Sequence, residues 1–172
     1  IVAGGSELWA LEKDGEVKWT AAVIDESGAT GASIFDFEGD GIAEVVYIDE
    51  EEMVVYDGET GAVKFYSAEH NSATMYDYPT VADIDGDNQA EIVVCHDGFG
   101  SGAVSAYGDQ DESWASARPL WNQHAYSITN INDDLSIPVD ATPNFTLYNN
   151  WHAGVARVGS DALIEDLSGL IN

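Results

Sequence analysis

The sequence predicts an all-β fold made of β-propeller blades, about three to four four-stranded antiparallel units that form part of a larger propeller. Two observations predict it. An acidic segment, Asp36–Glu44, recurs 47 residues later as Asp83–Glu91, and a weaker copy, Asn130–Ser136, follows after another 47 residues. Short alternating apolar runs separate the copies, whereas helical periodicity is nearly absent. Four short strands in about 40–50 residues are typical of a propeller blade.

The first complete unit is predicted to contain four strands. Ser33–Phe37 leads into the acidic segment, and Glu44–Ile48 leads out of it. Met53–Tyr56 forms a third strand, residues 57–61 form a turn rich in Asp, Gly and Thr, and Val63–Tyr66 forms a fourth strand. The β-branched and aromatic residues in these runs favour strands.

The second unit is predicted to repeat this order. Its strands are Thr80–Ile84, Glu91–Cys95 and Ala103–Tyr107, with a Gly-rich turn at residues 98–102 before the last one. Cys95 ends an apolar run and is expected to be buried. As the single cysteine of the chain, it cannot form an internal disulfide.

The two ends of the chain differ from these units. Leu8–Leu11 and Val17–Trp19 flank Asp14-Gly15, which predicts a hairpin from the end of a preceding blade. Phe145–Trp151 is predicted as a strand. We expect the blades to occupy residues 1–158, and residues 159–172 to be a linker or the start of a following domain, whose helix or strand content stays open.

At a period of 47 residues, the chain holds fewer than four units. Propellers of four to eight blades close on themselves and so protect their strand edges. We therefore expect this piece to belong to a longer chain, or its open edges to be covered by another copy.

The composition supports a packed core and excludes some partners. The 172 residues are 45% hydrophobic, and 32 acidic against 5 basic side chains give a formal charge of −27. Such a charge repels nucleic acid and anionic lipid surfaces. No stretch approaches the ~20 apolar residues of a spanning helix, so membrane insertion is not expected. The acidic excess has two open explanations, which are bound cations and a solubilising or salt-adapted surface.

The two acidic segments have the ligand pattern of calcium loops. Calcium takes six to eight oxygens, from side chains at positions 1, 3 and 5, a backbone carbonyl at position 7, and a closing carboxylate. The ligands of the first loop would be Asp36, Glu38, Asp40, the carbonyl of Ile42, and Glu44; those of the second loop would be Asp83, Asp85, Asp87, the carbonyl of Gln89, and Glu91.

The closing glutamate distinguishes these loops from EF-hands. It stands at position 9 between apolar β runs, whereas an EF-hand places it at position 12 between helices. Gly39 and Gly86 at position 4, and Gly41 at position 6, permit the sharp turn. Magnesium is less suited, because it resists an all-protein cage. An acidic turn without metal is the alternative, which the recurrence in register disfavours.

The third copy departs from this pattern. Its ligands would be Asn130, Asn132, Asp134 and Ser136, and Pro138 stands at the closing position. Two interpretations stay open. The copy binds calcium more weakly, or side-chain hydrogen bonds of Asn and Asp hold the turn without metal.

These loops resemble those of FG-GAP (VCBS-type) repeat proteins, which have the form D-x-D-G-D-G-x-x-E. Asp36–Glu44 fits apart from Glu38, and Asp83–Glu91 fits apart from Asn88. Arg118–Tyr126, followed by residues 130–134, is similar to the closing blade of such propellers in large secreted bacterial proteins. The resemblance spans about residues 1–151. It implies bound Ca²⁺ and an extracellular adhesive or structural protein, with a protein or glycan, or further copies of itself, as partner.

Three functions remain open, in this order of preference. The first is a calcium-stabilised scaffold or adhesion module, the second a lectin that uses the Trp-rich segment, and the third a fragment of a polysaccharide lyase. Catalysis is not expected, because no nucleophile elbow, phosphate loop or zinc spacing is present and the five Lys and Arg have no catalytic context. The four histidines are expected to be structural: His70, His96, His124 and His152.

Overall fold

A computed structural model describes residues 1–70, 72, 76–95 and 104–154 of the chain. The fold is all-β, with three antiparallel sheets, as predicted. His96, the turn at 98–102, Ala103 and the boundary between residues 158 and 159 lie outside the described residues. Across the described ranges, no helix has the length and apolar character that crossing a membrane requires.

The first sheet has three strands, β1 (Val2–Gly4), β2 (Glu7–Leu11) and β3 (Val17–Ala22), in the order β1-β2-β3. The predicted hairpin is confirmed: Leu8 pairs with Ala21, and a register shift follows Ala10 before the turn. This bulge adds twist to the hairpin.

The middle sheet is the complete four-stranded unit. Its strands are β4 (Ser33–Phe35), β5 (Glu44–Ile48), β6 (Met53–Asp57) and β7 (Val63–Ser67), in the order β4-β5-β6-β7. The four predicted strands are confirmed. The first ends two residues early, because Asp36 already begins the loop by accepting backbone hydrogen bonds from residues further along it.

The third sheet repeats the first three strands of that unit. Strands β8 (Thr80–Ala82), β9 (Glu91–Cys95) and β10 (Val104–Tyr107) pair in the order β8-β9-β10. Cys95 is exposed, so the expectation of burial was wrong. Alternation explains it: Ile92 and Val94 are buried on one face, and Cys95 at the strand end lies on the other.

Two cores enclose the middle sheet. All five residues of β5 are buried, because Val46 and Ile48 face the third sheet while Val45 and Tyr47 face the first. The larger core contains Phe35, Phe37, Val46, Ile48, Met53, Val55, Val81, Ala90, Ile92, Val94, Ala115, Ala117 and Ala153. The smaller contains Leu8, Ala10, Trp19, Val23, Val45, Tyr47, Val54 and Tyr56. Sheets stacked face to face in this way are the arrangement of neighbouring propeller blades.

The tail connects two of the sheets instead of forming a strand of its own. The prediction of a strand at 145–151 was wrong: Asn144–Thr146 is a 3-10 helix, and the amide of Asn144 donates to the backbone and side-chain oxygens of Asn150. This folds the segment back on itself. Trp151 then forms a bridge with Ile34 of β4, and Ala153 forms one with Val81 of β8. The tail thus joins the first strands of two neighbouring units.

Candidate metal loops

The second acidic loop is folded around its first aspartate. Asp83 accepts hydrogen bonds from the backbone amides of Gly86 (2.6 Å) and Asn88 (3.1 Å). Both of these residues have positive φ, +88° at Gly86 and +73° at Asn88. Asn is among the few non-glycine residues that adopt this region readily, so it replaces the glycine of the motif without losing the turn.

Three carboxylates of the second loop converge. Oxygen atoms of Asp83, Asp85 and Glu91 all lie within 4.8 Å of one another, the only such group of three or more His, Cys, Asp or Glu within the described ranges. Asp83 and Glu91 are buried, whereas Asp85 is exposed. Asp87 stands apart, because its Oδ1 accepts the backbone amide of Gln89 at 2.7 Å.

The electrostatics of this group favour a bound cation. Burial raises the pKa of Glu91, the charges of Asp85, Asp87 and Asp83 raise it further, and a hydrogen bond from the amide of Ile84 (2.8 Å) offsets part of this. No Lys or Arg among the described residues forms an ion pair with these carboxylates. Hard, convergent carboxylate oxygens in a flexible turn fit calcium.

The first loop has the same backbone design. Asp36 accepts the amides of Asp40 (3.0 Å) and Gly41 (2.8 Å), and Gly39 and Gly41 have φ of +67° and +91°. The closing Glu44 accepts the amide of residue 37 at 2.9 Å, as Glu91 accepts that of residue 84. Like Asp87, Asp40 accepts the amide two residues further on, that of Ile42.

The first loop differs in its charges, because it contains a lysine ammonium. Lys64 Nζ lies 2.6 Å from Oε1 of Glu38 and 3.0 Å from Oε1 of Glu44. Burial raises the pKa of Glu44 to about 7, although the bonds from Phe37 and Lys64 lower it. Burial alone would lower the pKa of Lys64, but its two glutamates raise it. The ammonium thus bridges the two glutamate carboxylates, and metal binding in this loop stays a prediction.

The third copy is a turn in which the candidate ligands bond to protein groups. Asp134 Oδ1 accepts the amide (2.9 Å) and hydroxyl (2.6 Å) of Ser136, whose hydroxyl also accepts from Asn132. The side-chain amide of Asn130 donates to the carbonyl of Ala125. These contacts match the interpretation of a turn held by hydrogen bonds, and metal binding here stays a prediction.

A buried arginine holds the same turn in place, a role that the sequence did not predict. Arg118 donates to the carbonyls of Ile128 and Ile131 and to the carboxylate of Asp133. In sequence, Asp133 lies beside the predicted ligand Asp134 and shows no sign of this pairing. In the sequence, an arginine among apolar and aromatic residues, followed by an acidic turn, is the signal that could have suggested this ion pair.

The first two loops share a physical connection. The amide of Ala115 donates to the carbonyl of Phe37 in the first loop (2.7 Å), and its carbonyl accepts the amide of Ala90 in the second (3.2 Å). The ring of Trp114 packs on that of Phe37 with centroids 4.6 Å apart. The two loops therefore lie side by side at one end of their sheets.

Two of the histidines, His124 and His152, lie in contact within an aromatic cluster. The rings of His124 and His152 have centroids 5.8 Å apart, and Tyr78 contacts both. Trp121 and Trp151 pack against His152. Burial lowers the pKa of His152, and the nearby charge of His124 lowers it further. These contacts are those of packing aromatics, in keeping with a structural role.

Comparisons with known proteins agree with the repeat pattern. Residues 36–94 match the model of the FG-GAP-like repeat, from the first residue of the first loop into β9. The chain is also similar to the crystal structure of the biofilm matrix protein Bap1 of V. cholerae, with a TM-score of 0.76 and 30% sequence identity. That match covers 90% of this chain and 27% of Bap1, so the chain spans less than a third of that protein. No curated protein matches the chain.

Proposed function

We propose that this chain is a calcium-stabilised β-propeller module of an extracellular adhesive or structural protein. The observation that carries the proposal is the likeness to a biofilm matrix protein over nine-tenths of the chain at 30% identity. The FG-GAP-like match over residues 36–94 supports it, because that segment contains both intact loops.

Calcium would be held in the second loop. Asp83, Asp85 and Glu91 already converge, and Asp87 and the carbonyl of Gln89 would supply further oxygens to the shell. The ion would supply positive charge that neutralises like-charged carboxylates and fixes the β8–β9 hairpin. An ion that binds only the folded state stabilises it by about 2.7 kcal/mol at 100 times its dissociation constant.

The partner would be a protein or glycan surface, or a further copy of this chain. Strand β7 ends the middle sheet and exposes Val63, Phe65 and Tyr66. These side chains offer apolar contacts beside a strand edge that pairs with no further strand among the described residues. The charge of −27 disfavours nucleic acid and anionic membranes as partners.

Two measurements test the proposal. The melting temperature should fall on addition of EDTA and recover with calcium, and Asp83→Asn should abolish this response while the exposed Glu16→Gln should retain it. Retention on a glycan array and on a polysaccharide-coated quartz crystal should depend on calcium in the same variants. A melting curve indifferent to EDTA would refute calcium stabilisation. Absence of retention on every one of these surfaces would refute a glycan partner, and turnover of pectic polymers would refute a purely adhesive function.

A further inference from the structure

We infer that Lys64 replaces calcium in the first loop, so that the two loops, alike in backbone, have opposite metal requirements. The second loop takes its cation from solution, whereas the cation of the first loop is a side chain of strand β7, the fourth strand of the same sheet. This inference rests on the proposed calcium binding of the second loop and assigns the first loop a different state.

The first observation is the position of the ammonium. It bridges a carboxylate at loop position 3, Glu38, and the closing carboxylate, Glu44, which is where a divalent ion would join the same two groups. The side chain of Glu44 is 2% exposed, so its charge needs a partner within the protein. Lys64 is that partner, at hydrogen-bonding distance.

The second observation is the difference between the loops at position 3. The first loop has Glu38 where the second has Asp85. The extra methylene lets the Glu38 carboxylate extend outward to Lys64, which comes from the fourth strand of the sheet. Asp85 is shorter, and its oxygen stays in the group formed with Asp83 and Glu91.

The third observation is what lies beside the closing glutamate of the second loop. Gly108, just after β10, stands next to Glu91, and a Cβ placed there would lie 3.8 Å from its Cγ. No cationic side chain comes from this position. None of the described Lys or Arg pairs with Asp83, Asp85 or Glu91, so no ammonium competes with a metal ion there.

Calcium could enter the first loop only by displacing Lys64. The ammonium would lose both carboxylates and would then lie close to a divalent ion of the same sign. We therefore expect the first loop to bind calcium at least 100-fold more weakly than the second, and Lys64→Met to recover most of that difference.

Amide NMR shifts resolve the two loops separately in a calcium titration of the ¹⁵N-labelled chain. In the wild type, the amides of residues 85–89 should shift at low calcium while those of residues 38–42 stay unchanged. In Lys64→Met, both sets should shift. Lys18→Met is the matched control, because Lys18 also pairs with a glutamate and its side chain is 32% exposed against 31% for Lys64. It should behave as the wild type does.

The outcomes separate the two proposals. If both loops of the wild type shift together, the role of Lys64 is refuted and calcium binding stands. If only the first loop of Lys64→Met shifts, the role of Lys64 stands and the proposed site in the second loop fails. Should Lys64→Met not fold, Asp83→Asn with Asp85→Asn keeps the lysine and removes the second site. Calcium shifts at residues 38–42 in that variant would refute the inference, and their absence would support it.

Discussion

Arg118 and Asp133 form an ion pair in which Nη2 lies 2.5 Å from Oδ1, and the two partners contribute unequally to it. The side chain of Arg118 is 8% exposed, whereas that of Asp133 is 61% exposed. The same guanidinium satisfies the carbonyls of Ile128 and Ile131. Its main contribution to stability is therefore to these carbonyls and not to the exposed carboxylate.

This asymmetry predicts different losses in free energy of unfolding for the two partners. Arg118→Met leaves two backbone carbonyls without their donor, each at about 1–3 kcal/mol, so we expect a loss of about 2–6 kcal/mol. Asp133→Asn keeps the guanidinium–carbonyl bonds and changes only the exposed carboxylate to an amide whose oxygen can still accept from Arg118, so the loss should stay near or below about 1 kcal/mol. Urea denaturation measures both. Equal losses would show that the ion pair is the dominant interaction.

The strands were predictable because their signal is local. Alternation and turn residues predict the bounds of β5 and β9, and the spacing of the loop predicts that Asp83, Asp85 and Glu91 lie together, as they do. Exposure of Cys95 also follows from alternation, but the apolar run before it suggested burial.

The partners of the charged loop residues were not predictable, because they lie far away in the sequence. Lys64 lies 20 residues from Glu44 and reaches it across two strand pairings. Arg118 lies 15 residues from Asp133. The tail is not a strand, although its apolar residues resemble one, because Asn144 and Asn150 bond to each other and bend it. Specific side-chain partners, which the apolar pattern does not reveal, decide each of these cases.

A second prediction concerns Gly58, which lies against the backbone just before β5. A Cβ at this position would overlap the carbonyl oxygen of Ala43, and the carbonyl of Gly58 accepts the indole N–H of Trp19 at 3.1 Å. Gly58→Ala must therefore displace the backbone, and we expect a loss in free energy of unfolding of about 2–4 kcal/mol. Gly15→Ala, at φ +89° in open space, should lose only about 1–2 kcal/mol from strain. Denaturant midpoints compare the two, and a larger loss for Gly15→Ala would contradict the steric argument.

The third prediction is a pH dependence from His152. Burial and the charge of His124 lower its pKa, so the folded state takes up this proton at lower pH than the unfolded chain does. Its contribution to stability is complete above the unfolded pKa of about 6.5 and is lost as pH falls below it, by up to about 1.4 kcal/mol per pH unit.

His152→Asn isolates this effect, because Asn tolerates the backbone conformation of the site, φ +48°. Glu44 also titrates in this pH range, with the opposite sign. Its pKa of about 7 lies above the unfolded value, so its contribution to stability is lost as pH rises through 7. Both proteins contain Glu44, so its contribution cancels in the difference between their free energies of unfolding. Free energies of unfolding measured from pH 8 to 5.5 should fall more steeply for the wild type, and parallel curves would mean that His152 is not responsible.

The fourth prediction separates the closing glutamates of the two loops. Glu91→Gln can still accept the amide of Ile84 and removes a charge that burial and three aspartates disfavour. In EDTA, we expect this variant to melt at or above the wild-type temperature. In calcium, the wild type should gain stability while the variant lacks its closing ligand, so the order should reverse. Glu44→Gln loses its bond to Lys64, and its melting temperature should differ from that of the wild type by the same amount in EDTA and in calcium apart from the gain at the second loop, since the first loop binds no calcium ion under this inference. Calorimetry of the three proteins with EDTA and with calcium checks this, and a calcium-dependent reversal for Glu44→Gln would place a metal ion in the first loop.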